Sequence, residues 1–153
     1  MERLKDRYPG FRMTKQKKIV LEEVRKVSSH PTAYDVYKMA RKRLPKISMG
    51  TVYRNLEVLS KFGLIQKIEM GNAQTRFDAN TKKHYHVRCI HCGRVDDVPV
   101  ETTSAVEDTV SKTSNYEILG HSMEFYGLCP DCKKGVGILP ERPENNPLKI
   151  KRG

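Results

Sequence analysis

Two Cys-x-x-Cys pairs, Cys89/Cys92 and Cys129/Cys132, account for all four cysteines of the 153-residue chain. Each pair sets two thiolates in one tight knuckle, and two knuckles supply the four sulfur ligands of a tetrahedral structural zinc. Gly93 follows the first pair and suits the turn a knuckle needs. With 36 residues between the pairs, such a metal joins segments far apart in the chain. Cys129-Pro130-Asp131-Cys132 also has the form of a redox dithiol. A single redox pair, however, has no need of a second pair at the same spacing.

A second constellation is His84-x-His86. Alternate residues of a strand share a face, so two imidazoles converge there without special geometry. Asp97 lies on the strand expected next, Asp78 just upstream, and His30 in the first half. Three imidazoles with up to two carboxylates suit Fe(II), Mn(II) or Zn(II) better than magnesium or calcium. Taken singly, His30 also reads as a helix-end residue and Asp78 as a turn acid. His91, inside the cysteine knuckle, and His121 are expected to be structural or solvent-facing.

Charge separates the halves. Residues 1–66 hold 16 Lys and Arg against 6 Asp and Glu, whereas residues 67–135 hold 9 against 10. Nearly all of the net charge of +11 therefore belongs to the first half, and a domain so charged attracts polyanions, of which nucleic acid is the commonest. The segment from Ser48 to Leu56 can present Ser48, Thr51, Tyr53 and Arg54 to DNA: tyrosine to a thymine methyl or a phosphate, arginine to guanine. Lys15 and Lys61 are the further candidate contacts.

These side chains need elements to carry them. Thr14 can cap a helix with Val20, Leu21, Val24 and Val27 on one face, which His30-Pro31 breaks. Thr32 and Asp35 form a capping pair for a second helix, bearing Ala33, Val36, Tyr37, Ala40 and Leu44, that ends at Pro45. Ser48 caps a third from about Thr51 to Phe62, with Val52, Leu56 and Leu59 inward, Arg54 and Lys61 outward and Gly63 as stop signal. Residues 64–68 and 75–77 then read as strands joined through Gly71-Asn72. Three short helices and a hairpin make a winged helix-turn-helix. Strands are expected at 84–89, 94–98, 117–119 and 122–127, with a helix over 103–113, giving a small α+β unit. The fold class is thus α+β: a winged-helix DNA-binding domain over 1–80, an α+β metal-binding domain over 81–135, and a disordered basic tail over 136–153.

No apolar run approaches the ~18 residues of a membrane helix, and no apolar stretch follows the charged N-terminus as in a secretory signal. The expectation is a cytoplasmic protein without membrane partners. A zinc deaminase places His-x-Glu ahead of Pro-Cys-x-x-Cys; here the motif is His-Tyr-His, Pro130 follows its cysteine, and no general-base glutamate stands beside the ligands. The chain reads as a binding protein, not an enzyme.

His30-Pro31-Thr32-Ala33, Thr51-Val52-Tyr53-Arg54-Asn55-Leu56, Arg76-Phe77-Asp78, His84-Tyr85-His86 with Cys89-x-x-Cys92-Gly93, and Tyr126-Gly127-Leu128-Cys129-x-x-Cys132 together resemble the ferric uptake regulator family, over about residues 10–134. The resemblance implies a homodimeric, metal-responsive repressor that binds double-stranded operator DNA through its winged helix and pairs through its α+β domain. It assigns the four cysteines to a structural zinc, and His30, Asp78, His84, His86 and Asp97 to a regulatory Fe(II) or Mn(II) site. Aspartate at both 78 and 97 resembles the peroxide-sensing branch, where iron-uptake regulators usually carry glutamate. That branch implies oxidation of His30 or His84 by peroxide, with metal ions and peroxide the only small molecules concerned. Arg54 points the other way, since many peroxide sensors have asparagine there, and leaves an iron- or zinc-responsive uptake regulator as the alternative. A further carboxylate–histidine site of some iron regulators meets Lys83, Tyr85 and Leu128 here where it would need ligands.

Overall fold

Side-chain caps start the three N-terminal helices. Thr14 accepts the Lys17 N–H at the head of α1 (Lys15–Arg25). Thr32 and Asp35 form a reciprocal capping box at the head of α2 (Ala33–Arg41), and Ser48 accepts the Thr51 N–H at the head of α3 (Met49–Lys61). Each cap satisfies backbone donors that the first helical turn leaves open. The computed structural model describes residues 9–71 and 73–135. The tail expected over 136–153 lies outside them, as does Asn72 of the expected wing turn.

The chain divides into two compact units between Thr81 and Lys82. In the first, the inward stripes of the helices meet in one core. Val20 and Val24 of α1, Val36 and Ala40 of α2, and Val52, Leu56 and Leu59 of α3 are all but inaccessible to solvent. Gly63, in the left-handed conformation at φ +66°, ends α3 and turns the chain so that Leu64 N–H bonds Leu59 O. The antiparallel wing follows, β1 (Gln66–Ile68) on β2 (Arg76–Asp78), with Lys67 opposite Phe77. Phe77 closes the core from the wing side. Helices α1–α3 and this wing are the expected winged helix.

The second unit is a three-stranded sheet in the order β4-β3-β5. β3 (Tyr85–Cys89) and β4 (Val95–Val98) form a hairpin. Helix α4 (Ala105–Thr113) then carries the chain across to β5 (Glu124–Gly127), which pairs with β3 in parallel. A short helix, α5 (Pro130–Gly135), follows.

Several boundaries differ from expectation. α1 stops at Arg25, ahead of Ser28 and Ser29, residues that favour bonds outside helices, rather than at His30-Pro31. α3 is capped by Ser48 as expected, but it begins at Met49, two residues before Thr51, because the residue that follows an N-cap is already helical. The strand expected over 117–119 does not form. β3 already has β4 on one edge and β5 on the other, and Tyr116 and Leu119 are 79% and 92% exposed, so the segment has neither a ladder partner nor a face to bury.

Candidate metal centres and DNA-binding surface

Cys89 closes β3, and the chain turns back at once. Gly93 at φ +76° lets its N–H reach Cys89 O at 2.9 Å, while Cys89 N–H bonds Arg94 O at 2.7 Å. That knuckle holds Cys89 and Cys92. The second pair sits at the head of α5, where Lys133 N–H bonds Cys129 O. The four sulfurs lie within 4.8 Å of one another, and Cys92 Sγ is 3.8 Å from Cys129 Sγ. A tetrahedral zinc with bonds of about 2.3 Å requires sulfurs roughly 3.8 Å apart, so the donor set fits zinc in both chemistry and spacing. No disulfide joins the four. Burial by itself would raise the Cys89 thiol, but the backbone N–H groups of Cys92, Cys129 and His91 outweigh it and hold it at about 6. Cys132, hydrogen-bonded to Cys129, is pushed up to about 12. One thiolate is therefore favoured before any metal arrives. His91 Nδ1 stands 3.4 Å from Cys132 Sγ, placing this exposed ring on the cluster's outer side.

The second unit also gathers His84, His86 and Asp97. His86 lies directly across the β3–β4 ladder from Asp97. Both imidazole Nε2 atoms face the same carboxylate oxygen, at 3.1 Å from His84 and 3.4 Å from His86, and the rings lie 4.4 Å apart. His84 Nδ1 is 2.6 Å from Lys82 O. A carbonyl only accepts, so Nδ1 donates to it, and Nε2 is the nitrogen turned toward Asp97. A backbone acceptor of this kind fixes the tautomer of a metal-ligating histidine.

The first unit brings His30 and Asp78 together, with Nε2 to Oδ2 at 3.7 Å and both residues buried. Asp78 is held by the Gln66 side chain at 3.1 Å and by Asn80 N–H at 2.8 Å. Each unit thus presents imidazole and carboxylate donors of the type that suits Fe(II), Mn(II) or Zn(II).

On α3, Ser48 and Thr51 hydroxyls lie 2.9 Å apart, and Arg54 reaches back to Thr51 Oγ1 at 3.4 Å. Tyr53 is 47% exposed, and Ser48, Arg54, Lys61 and Lys15 of α1 are exposed as well. All six candidate contacts can meet a ligand without unfolding anything.

Sequence reasoning missed one network. Lys83 Nζ lies 3.2 Å from Glu107, whose carboxylate is 2.8 Å from His121 Nδ1. His121 Nε2 meets the Tyr85 hydroxyl at 2.9 Å, and that hydroxyl accepts the Thr103 N–H. The His121 ring, with Lys83 behind it, holds the Glu107 carboxyl below its ordinary value. The network ties α4 to the strand that bears His84 and His86. Its members are too far apart in the chain for spacing to announce them, and His121 is turned into these contacts rather than toward solvent.

The family model for the ferric uptake regulator family matches residues 9–126. The chain belongs to the ferric uptake regulator family. Among relatives, the peroxide-responsive repressor PerR of Staphylococcus epidermidis is 34% identical over 128 residues, covering 84% of this chain and 85% of that protein. The peroxide operon regulator of Bacillus subtilis is 36% identical over 134 residues, covering 88% and 91%. The solved peroxide stress regulator of Campylobacter jejuni superposes with a TM-score of 0.63 at 29% identity, over 76% of this chain and 88% of that one. Within the family, this member is similar to the peroxide-responsive repressors.

Proposed function

We propose that this family member is a peroxide-responsive repressor that binds double-stranded operator DNA as a homodimer. The observation that carries the reading is the divided donor set. A buried His30–Asp78 pair lies in the DNA-binding unit, and His84, His86 and Asp97 lie in the other, with aspartate at both carboxylate positions. In this reading His30, Asp78, His84, His86 and Asp97 together hold Fe(II) or Mn(II), and Cys89, Cys92, Cys129 and Cys132 hold zinc. Ligands drawn from both units select the relative orientation that fits the operator. By linkage, operator binding then tightens metal binding by the same factor. Ser48, Thr51, Tyr53 and Arg54 meet the DNA from α3, with Lys15 and Lys61 on the backbone.

A second copy of the chain is the partner that suits the second unit. Val106 and Val110, one helical turn apart, and Phe125 and Tyr126 on the edge strand β5 are each 38–40% exposed. Burial of such a surface against its own copy is how obligate dimers complete their cores.

Fe(II) held by these residues would activate peroxide toward a neighbouring imidazole. One peroxide oxygen would be inserted at a ring C–H of His30 or His84 as the O–O bond breaks, the other would leave as water, and the ring would supply both electrons. The oxidised ring would cease to be a ligand and no longer tie the two units together. The test is intact mass and operator binding of the Fe(II)-loaded dimer before and after micromolar peroxide. The expected result is a gain of about one oxygen atom on a histidine with release of DNA, while the Mn(II)-loaded protein stays bound. If the Fe(II) protein stays on its operator with unmodified histidines, the iron-uptake regulator favoured by Arg54 takes its place.

A further inference from the structure

His30 is the only non-glycine among the described residues with a positive φ, at +48°. A side chain rarely adopts that conformation, and one that does is held there by its surroundings. On the C-terminal side, Pro31 follows directly, and Thr32 is locked into the capping box of α2. On the other side stands strand β2. Arg76 Nη1 donates to the His30 carbonyl at 2.9 Å, Phe77 N–H bonds Pro31 O at 3.0 Å, and Thr32 forms an isolated antiparallel bridge with Arg76. Residues two apart on a strand share a face, so Arg76 and Asp78 project from one face of β2. Arg76 takes the main-chain oxygen of His30, and Asp78 meets its ring at 3.7 Å.

We propose that Arg76 is a positioning residue of the regulatory metal centre, gripping the His30 main chain while Asp78, two places along the same strand face, meets the His30 ring. The inference rests on the reading of His30 as a ligand to a divalent cation. It adds that the ligand is set in place by the wing strand before any metal arrives. The strained backbone of His30 has one low-energy arrangement so long as the guanidinium holds its carbonyl. Without that bond the segment relaxes toward the extended conformation usual before proline, and the ring swings away from Asp78. Because β2 is one of the two strands of the wing, whatever shifts the wing shifts a metal ligand with it.

Mn(II) titration of the full-length, zinc-loaded chain tests this, with Co(II) absorption as a second readout of ligand geometry. Removing a residue that orients a ligand lowers metal affinity 10–100-fold, and that is the loss expected for Arg76→Ala, with an altered Co(II) spectrum. Arg76→Lys, which keeps a single cationic donor, should recover part of both, and serves as the test variant should the alanine chain not fold. His30→Ala gives the floor. Combined with His30→Ala, Arg76→Ala should lower affinity no further, because Arg76 acts through His30; an additive loss overturns the proposal. Wild-type affinity in Arg76→Ala, with His30→Ala weakened, overturns the positioning role alone. Equal Mn(II) binding by wild type and His30→Ala overturns the assignment of His30 as a ligand, and the proposal with it.

Discussion

Among the described residues, three helices and the wing of the first unit close over seventeen buried apolar side chains, whereas in the second unit only Tyr85, Cys89 and Val95 are buried. The exposed large apolar groups run the other way. Tyr34 and Tyr53 belong to the first unit, and the other eight, from Val100 to Tyr126, to the second. Helix α4 buries no residue at all. Apolar burial at ~25 cal/mol per Å² is what offsets chain entropy in small domains, so the first unit holds itself together and the second depends on additions. Under the proposed function those additions are a zinc cross-link through the four cysteines and another copy of the chain against the exposed apolar surface. In that reading the DNA-binding unit is a self-sufficient part, and the other unit is one whose shape answers to what it binds.

The largest test of this contrast is removal of one thiol. Structural zinc contributes about 10–16 kcal/mol of apparent binding free energy in small zinc peptides. Cys92→Ser should leave the second unit unfolded or aggregating while residues 9–81 keep their helical circular dichroism and amide protection. A well-folded, zinc-free Cys92→Ser dimer would erase the distinction. Truncation inside each unit gives the next effect. Leu56→Ala opens a cavity in a packed core and should lower the stability of the first unit by about 2–5 kcal/mol in urea unfolding. Leu119→Ala should change stability by less than about 0.5 kcal/mol, and a large loss there would mean that the segment is buried in the dimer.

DNA binding sharpens the comparison on the first unit alone. With ~6–10 phosphates covered, operator affinity should fall by ~10³–10⁵ between 50 and 200 mM salt. Arg54→Ala should lose about 1–3 kcal/mol and relax sequence preference, while Lys61→Ala weakens all sequences alike. Selective loss on Lys61→Ala in a binding assay on operator and scrambled duplexes would reverse those roles. Acid gives the smallest effect. In Glu22 the Arg43 guanidinium lowers the carboxyl. In Glu23 and Asp35 burial opposes ionisation, and the hydrogen bonds of Lys26 with Arg43, and of Thr32 with Lys38, outweigh it. Carboxyls lowered in the folded state stabilise it fully above their ordinary values near 4, and that contribution is lost as pH falls through the lower folded values. Urea midpoints of the first unit should therefore drop below pH 4.5, and Glu23→Gln, which breaks a buried contact with Lys26 at 2.6 Å and Arg43 at 3.1 Å, should flatten the drop. An unchanged pH slope in Glu23→Gln would remove this carboxylate from the account.

What could be read beforehand follows the same division. Thr14, Thr32 and Ser48 announce their helices because caps and helical spacing are local signals, and Val52, Leu56 and Leu59 fall inward as their period requires. The cysteine pairs stand out because ligand spacing is also local. The strand expected over 117–119 failed because alternation says nothing about whether a ladder edge is free, and both edges of β3 are taken. Parallel pairing of β3 with β5, and the contacts of Glu107 with Lys83 and His121, join residues 14 to 38 positions apart in the chain. The left-handed turn at His30 carried a hint in Pro31, but the arginine that holds it lies 46 residues away.

The parallel pairing of β3 with β5 has a consequence for how the protein is made. Every contact of the first unit's core is available once the chain has passed the wing, so that half can fold while the remainder is still being synthesised at ~5–20 residues per second. The second half can form early only its β3–β4 hairpin. Its central strand waits for a partner that follows the crossover helix, and with zinc held as proposed the fourth thiol, Cys132, emerges after nearly everything it must fasten. Each newly made molecule would then pass through an interval in which its DNA-binding half is finished and its sensing half is not. With zinc held and the function as proposed, the length of that interval would be set by the supply of zinc in the cell, and zinc supply would gate how many finished molecules there are to respond.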